Sequence, residues 1–367
     1  MTLPITQTGT VRQRSLDLLR DNQHSSGAFP AALGYSVYKY CWFRDGSFIA
    51  DALSRVGERD RSTRFHMWCV RVVGQQTDRV EDLVRRAKAG EQIPGTQMLP
   101  TRYQLDGSEG NEDWWDYQLD GYGTWMWVLA QHIKRHDLDS SPFLPAIETI
   151  ANYLGTFGDQ PCFDWWEESE EERHLSTVTA VIAGLEAAAS VLDSPTANLA
   201  TAASARLREL VNTASNATSY LPKQVGSIAV DGSLISAAVP FEVIDPGSER
   251  AEATYKQIVS DLLAEGVYRY RGDTFYGGGE WIILTAWLGL YEAATGRLNE
   301  AVSRRDWIVA QAKPNGDLPE QVAGNAQAPD RIEEWEQRWG PVATPLLWSH
   351  AMFLTLDDAL QKCEVWP

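Results

Sequence analysis

Apolar residues along this chain recur at steps of three and four far more often than they alternate, the mark of helices rather than strands. The clearest run is Leu119, Tyr122, Trp125, Met126, Leu129 and Ile133, a single stripe down one helical face. Similar runs predict helices over 11–19, 48–56, 142–154, 175–192, 197–211, 251–263 and 298–312, with a shorter one over 233–241. Residues 63–87 read as one long helix or two short ones, and a helix over 344–361 closes the chain. Residues 281–291 are nearly all apolar, so that helix is expected to be buried on every side.

About a dozen helices with no strand–helix alternation predict a single all-helical domain over residues 1–367. Consecutive helices can pair as hairpins and stack into a closed ring, with the loops gathered at one mouth. The stretches 106–116, 268–280 and 314–341 are expected to be such loops, and they carry much of the Gly, Trp and acidic content. Loops longer than about 12–15 residues inside a compact domain are usually functional or disordered, and aromatic content favours functional here.

Composition narrows the ligand. Hydrophobic residues make up 44% and charged residues 22%, enough for a sizeable core. A formal net charge of -18 argues against nucleic acid and against an anionic membrane surface, so a neutral substrate fits better. The 15 tryptophans suit a site that stacks ring-shaped ligands. Cys41, Cys69, Cys162 and Cys363 show no metal-ligand spacing and no dense disulfide framework, so they are expected to be reduced and mostly buried. The first residues lack a basic region followed by an apolar core, which makes a cytoplasmic location the expectation. No cofactor or metal is called for. The acidic 106–116 stretch is compatible with a structural calcium ion but lacks the ordered ligand spacing of a calcium loop.

The chemistry concentrates in a few segments. In Asp164-Trp165-Trp166-Glu167-Glu168 a carboxylate pair abuts two indoles, which withhold water and favour a protonated carboxyl. The competing reading makes Glu167 to Glu172 the solvated acidic start of a helix near His174. Tyr38-Lys39-Tyr40-Cys41-Trp42-Phe43-Arg44-Asp45 offers donors and acceptors for vicinal hydroxyls, or else an ion pair with a helix cap at Asp45-Gly46-Ser47. Trp114 lies in a polar and aromatic run, 111–120, that reads as a binding loop or a capped helix start. Arg269, Asp273 and Trp281 flank the glycines 277–279, which permit close backbone approach but lack phosphate-loop spacing. Glu320, in Gly316-Asp317-Leu318-Pro319-Glu320-Gln321, is unremarkable alone.

Together these segments resemble glycoside hydrolase family 15, the glucoamylase and glucodextranase family. The resemblance runs in order from Tyr38 to His350, through Tyr38-x-Tyr40-x-Trp42-x-Arg44-Asp45, Gln118-Leu119-Asp120-x-Tyr122-Gly123, the Trp166-Glu167-Glu168 segment, Arg269-Tyr270 with Asp273 and Trp281, Leu318-x-Glu320-Gln321 and Trp348-Ser349-His350-Ala351. It implies an (α/α)6 barrel and an enzyme that inverts at the anomeric carbon while removing one glucose from the non-reducing end. It further implies Glu167 as general acid and Glu320 as general base, with carboxyls roughly 6.5–9.5 Å apart. Tyr38, Trp42, Arg44, Asp45, Trp114, Asp164, Trp166, Glu168, Arg269, Asp273 and Trp281 are the implied substrate contacts. Trp42 packs beneath the terminal glucose, and Glu168 sits beside the leaving-group sugar.

Acid and base need opposite protonation at one pH. Tryptophan packing and the like charge of Glu168 are expected to keep Glu167 protonated. Glu320, in a Gly-, Asp- and Gln-bearing loop, is expected to be exposed and ionised. Phe43 departs from the small residue or proline common in the family. A stand-alone, unsecreted domain suits short imported oligosaccharides, isomaltose-type α-1,6 substrates first, with maltooligosaccharides and trehalose as alternatives. A barrel-fold sugar epimerase would rely on histidines, and only His174 and His350 lie near the proposed loops. A non-catalytic sugar-binding module would need no second carboxylate. Oligomeric state is not legible.

Overall fold

The structure, a computed structural model, describes residues 5–364. Its helices are α1 (Ile5–Asp21), α2 (Phe43–Arg55), α3 (Arg59–Lys88), α4 (Asp120–His136), α5 (Leu144–Phe157), α6 (Leu175–Val191), α7 (Pro195–Ser215), α8 (Glu249–Leu262), α9 (Ile282–Ala294), α10 (Leu298–Ala310), α11 (Ile332–Trp339) and α12 (Leu347–Glu364). Six segments form an inner ring: α2, α4, α6, the 3-10 helix Gly232–Ala237, α9 and α12. Each packs on the next, and α12 returns to α2. The helices α1, α3, α5, α7, α8 and α10 form the outer ring, giving an (α/α)6 barrel.

Burial follows the rings. Along the inner α2 every residue from Phe43 to Ser54 is buried, and α9 is buried from Ile282 to Ala293. The outer α3 buries one face, from Ser62, Phe65 and His66 through Trp68, Cys69, Val72, Val73, Gln76 and Val80 to Leu83 and Val84. Inner helices must approach closely. At the crossing of α4 and α6, a Cβ on Gly184 would lie 2.5 Å from the Gly123 carbonyl oxygen, so both positions need glycine.

Four elements differ from the expectation. Helix α1 begins six residues before its predicted start, at Ile5. Helix α2 begins five residues before the predicted start, and Trp42 rather than Asp45 occupies its cap position. Arg44 and Asp45, read as loop chemistry, stand in its first turn, where Gln118 and Asp120 accept from Arg44 Nη1. The predicted helix 233–241 is a 3-10 helix ending at Ala237, capped by the Asp231 carboxylate accepting from Ser233 N, with Pro240 barring its extension. In the predicted loop 314–341 lies α11, which belongs to neither ring and packs at the mouth against the 3-10 turn Phe275–Gly277.

Short strands tie the mouth loops together. β1 (Cys41–Trp42) pairs antiparallel with β2 (Arg102–Tyr103). β3 (Val267–Tyr268), β4 (Glu280–Trp281) and β5 (Gln321–Val322) form an antiparallel sheet in that order, with Trp281 opposite Gln321. This sheet delivers Glu320 beside Trp281. Cys41, Cys69 and Cys162 are buried free thiols, and Cys363 is partly buried and free. No helix among the described residues is long and apolar enough to cross a membrane.

Candidate active site

At the mouth, a cavity of about 190 Å3 opens among the loops. Tyr38, Trp42, Arg44, Asp45, Trp114, Trp166, Glu167, Glu168, Arg269, Trp281 and Glu320 all border it. Residues spread over most of the chain therefore share one wall.

Glu167 sits on a sharp turn rather than in a helix, so the acidic-first-turn reading fails: α6 starts at Leu175, after a His174 cap position. Its φ of 65° is left-handed. Such a backbone costs a non-glycine residue about 1–2 kcal/mol and persists only where the surroundings hold it. Asp164 is that support: its Oδ1 accepts the backbone N–H groups of Trp166 and Glu168, each at 2.9 Å. On the side chain, Glu167 Oε1 accepts from Trp42 Nε1 at 2.8 Å and Gln118 Nε2 at 3.1 Å. Both donors engage one oxygen, Oε1.

Glu320 corrects an expectation. It is 4% exposed rather than open, and burial pushes its carboxyl up to about 8. The Tyr38 hydroxyl, donating to Oε1 at 3.1 Å, and the positive field of Arg269 oppose that rise without cancelling it. Among the described residues Oε2 has no hydrogen-bond partner. A carboxylate with a raised pKa is the stronger base once ionised, and one poised near neutrality suits proton abstraction. Two structural bonds fix its segment. His350 Nε2 accepts from Leu318 N at 2.9 Å, and Ser349 Oγ donates to the Pro319 carbonyl at 2.8 Å. His350 is held neutral, its pKa lowered by burial to about 3.

Arg44 and Asp45 form a fixed polar wall. Arg44 Nη1 donates to Gln118 Oε1 at 2.9 Å and Asp120 Oδ2 at 3.2 Å, and Nε lies 3.4 Å from Asp45 Oδ2. Among the described residues neither Arg44 Nε nor Asp45 Oδ2 has a hydrogen-bond partner, although both atoms are buried. A donor and an acceptor left adjacent in this way match a hydroxyl, which is both. Burial pushes Asp45 up to about 6, with Arg44 opposing.

Asp164 and Asp273 stand behind the wall instead of touching the cavity. Asp273 holds Arg269 bidentately, Nε to Oδ2 at 2.7 Å and Nη2 to Oδ1 at 2.5 Å. Arg269 is further enclosed by the rings of Phe275 at 5.0 Å and Trp166 and Trp281 at 5.3 Å. Glu168 faces the same arginine at 3.4 Å and accepts from the Tyr270 hydroxyl at 2.5 Å.

The sequence reading missed part of the wall. Trp115, Phe275, Trp335, Trp339 and Trp348 also border the cavity. Trp335 and Trp339 stand four apart on α11, a spacing that could have marked one helical face. Arg102 left no local signal. It is buried between the rings of Trp114, 3.9 Å, and Tyr40, 4.1 Å, beneath Trp42. His174 and His350 do not border the cavity, which removes the histidine pair an epimerase would need. No group of three or more His, Cys, Asp or Glu among the described residues could hold a metal ion.

Residues 7–310 match the sequence profile of Glycosyl hydrolases family 15. The chain belongs to glycoside hydrolase family 15. As a family member it is a glycoside hydrolase. It is 43% identical, over 92% of its length and 89% of the relative's, to a protein named isomaltose glucohydrolase from Kribbella flavida. A solved wild-type glycosidase structure superposes with a TM-score of 0.95 at 40% identity, covering 98% of this chain and 99% of the other. A glycosidase variant solved in complex with glucose gives 0.94 at 40% identity and the same coverages. The glucoamylase from Saccharomycopsis fibuligera, at 15% identity and a TM-score of 0.72 over 98% of this chain and 96% of its own, shares the fold. Glu320 lies outside the residues matched to the family 15 profile, so its place in the site rests on the β4–β5 pairing and the cavity.

Proposed function

We propose that the protein is an inverting, exo-acting α-glucoside hydrolase that releases β-glucose from the non-reducing end of short α-glucosides. Isomaltose-type α-1,6 linkages are the substrate we favour, supported by the 43% identity to a protein of that name. The observation that carries the reading is convergence. Glu167 and Glu320, from separate loops, border one aromatic-lined cavity whose polar wall is Arg44 and Asp45.

In this scheme the terminal glucose lies against Trp42, with its hydroxyls on Arg44 Nε and Asp45 Oδ2. Glu167 Oε2 gives its proton to the glycosidic oxygen as the bond from C1 to that oxygen breaks. With Glu320 in its ionised form, water attacks C1 from the opposite face and passes a proton to Glu320 Oε2. The leaving sugar departs past Glu168 and Arg269. Inversion needs roughly 6.5–9.5 Å between the two carboxyls, room for that water. A non-catalytic binding role leaves the buried, raised Glu320 without a purpose, since burying a carboxyl away from water opposes folding. The single catalytic domain over residues 1–367 and action on imported oligosaccharides in the cytoplasm belong to the same reading. Assaying the activity in separated cell fractions checks the second point.

Incubation with isomaltose, maltose and trehalose, followed by NMR of the released anomer, tests the proposal. β-Glucose as first product from isomaltose is expected. α-Glucose first contradicts inversion, and no release from any of the three contradicts hydrolysis of these α-glucosides.

A further inference from the structure

Lys223 lies outside the cavity and outside every segment singled out from the sequence, yet three parts of the site meet on its ammonium. Nζ is 3.5 Å from Asp164 Oδ2, 3.6 Å from Asp231 Oδ2 and 3.4 Å from the centre of the Tyr270 ring. Its side chain is 13% exposed. The backbone beneath it is pinned by Lys223 N donating to the Ala229 carbonyl at 2.7 Å and by Leu175 N donating to the Lys223 carbonyl at 3.1 Å.

Each contact leads to the leaving-group half of the cavity. Asp164 Oδ1 holds the Trp166 and Glu168 amides, which shapes the turn bearing Glu167. Asp231 Oδ2 accepts from Trp166 Nε1 at 2.8 Å, and its Oδ1 caps the inner 3-10 helix. Tyr270 turns its face to the ammonium and donates its hydroxyl to Glu168 at 2.5 Å. We propose that Lys223 is a positioning residue that locks Glu168, Tyr270 and Trp166 into the geometry that receives the leaving-group sugar.

The electrostatics require such a cation. Asp164 and Asp231 are both buried and face the same point, where two carboxylates repel. Burial disfavours the charge on Asp164, and Lys223 is the largest influence restoring it, with His174 Nδ1 at 4.0 Å contributing less. The other charged groups facing this cluster are Glu168 and Arg269, which pair with each other at 3.4 Å. Without the ammonium the two buried carboxylates face each other with no cation between them, and their repulsion strains the grip of Asp164 on the Trp166 and Glu168 amides.

The inference rests on the glucosidase reading above, and two substrates separate their failures. Isomaltose uses the leaving-group half; α-glucosyl fluoride has no leaving-group sugar and leaves it empty. Lys223→Met in the full chain is expected to lower kcat/KM on isomaltose by roughly tenfold to a hundredfold, the scale of small misplacements, and on the fluoride by less than about threefold. Lys223→Arg should recover most of the isomaltose loss. Tyr270→Phe keeps the ring under the ammonium and deletes only the hydroxyl to Glu168. It should show the same split even if the Met variant folds poorly. Equal losses on both substrates in the Met and Phe variants, or no loss on isomaltose, overturn the positioning role. Wild-type protein inactive on both substrates overturns the glucosidase reading instead.

Discussion

Replacing Glu320 by Gln should abolish turnover and stabilise the fold, with a gain set by pH. Burial raises this carboxyl from an ordinary value of 4.5 to about 8. At ~1.4 kcal/mol per pH unit, ionising it inside the native protein costs roughly 5 kcal/mol more than in the unfolded chain. The sign follows from where the proton is held more tightly. The native state keeps it up to about pH 8, whereas the unfolded chain releases it near pH 4.5, so the penalty grows as pH rises between the two. Below about pH 4 both states are protonated and glutamate costs nothing extra. At pH 7 the penalty reaches about 3 kcal/mol, and above pH 8 it approaches its full size. Gln keeps the acceptor for the Tyr38 hydroxyl and carries no charge, so it removes the penalty with little change of shape. Urea unfolding of wild type and variant at pH 4, 7 and 9 measures this directly. The midpoints should coincide at pH 4 and separate progressively in favour of Gln. A constant difference across pH, or a Gln variant that is less stable at pH 9, refutes the buried, raised Glu320.

Other outcomes follow from the same geometry. Tyr38→Phe deletes the hydroxyl that favours ionised Glu320, so the acidic limb of the kcat/KM profile should move to higher pH; an unmoved limb counts against Glu320 as the base. Glu167→Gln should reduce isomaltose turnover by about 10²–10⁴-fold, yet leave α-glucosyl fluoride, whose leaving group needs little protonation, much less affected. Parallel losses on the two substrates would argue against Glu167 as the acid. Gly184→Ala sets two effects against each other. Helix propensity favours Ala by about 1 kcal/mol. The new Cβ, however, meets the Gly123 carbonyl oxygen at 2.5 Å and its Cα at 2.6 Å, backbone that cannot swing aside. Overpacking of this kind costs about 1–3 kcal/mol or more, so a lowered melting temperature is expected and an unchanged one would show that α4 and α6 can separate.

The helices were legible because a 3.6-residue period is written locally. Residues one turn apart share a face whatever the rest of the chain does, and α3, α4, α6 and α9 appeared close to where the period placed them. Glu167 and its tryptophans were legible for the same reason: neighbours in sequence stay neighbours in space. What failed was what no neighbour decides. Arg44 and Asp45 stand in a helix whose guanidinium partners, Gln118 and Asp120 on Nη1, lie more than 70 residues on. Lys223 and Arg102 gave no local signal, since their partners come from other loops. Helix α11 was hidden because its eight residues bury none of their number and gain shape only against the mouth. Glu320 shows the division most sharply. A polar loop sequence suggested an exposed carboxylate, but accessibility belongs to the assembled ring, and β4, Ala343 and Tyr38 close around it. Local periodicity determined the elements; the closing of the barrel decided which carboxyl water reaches, and with it the proton chemistry of the site.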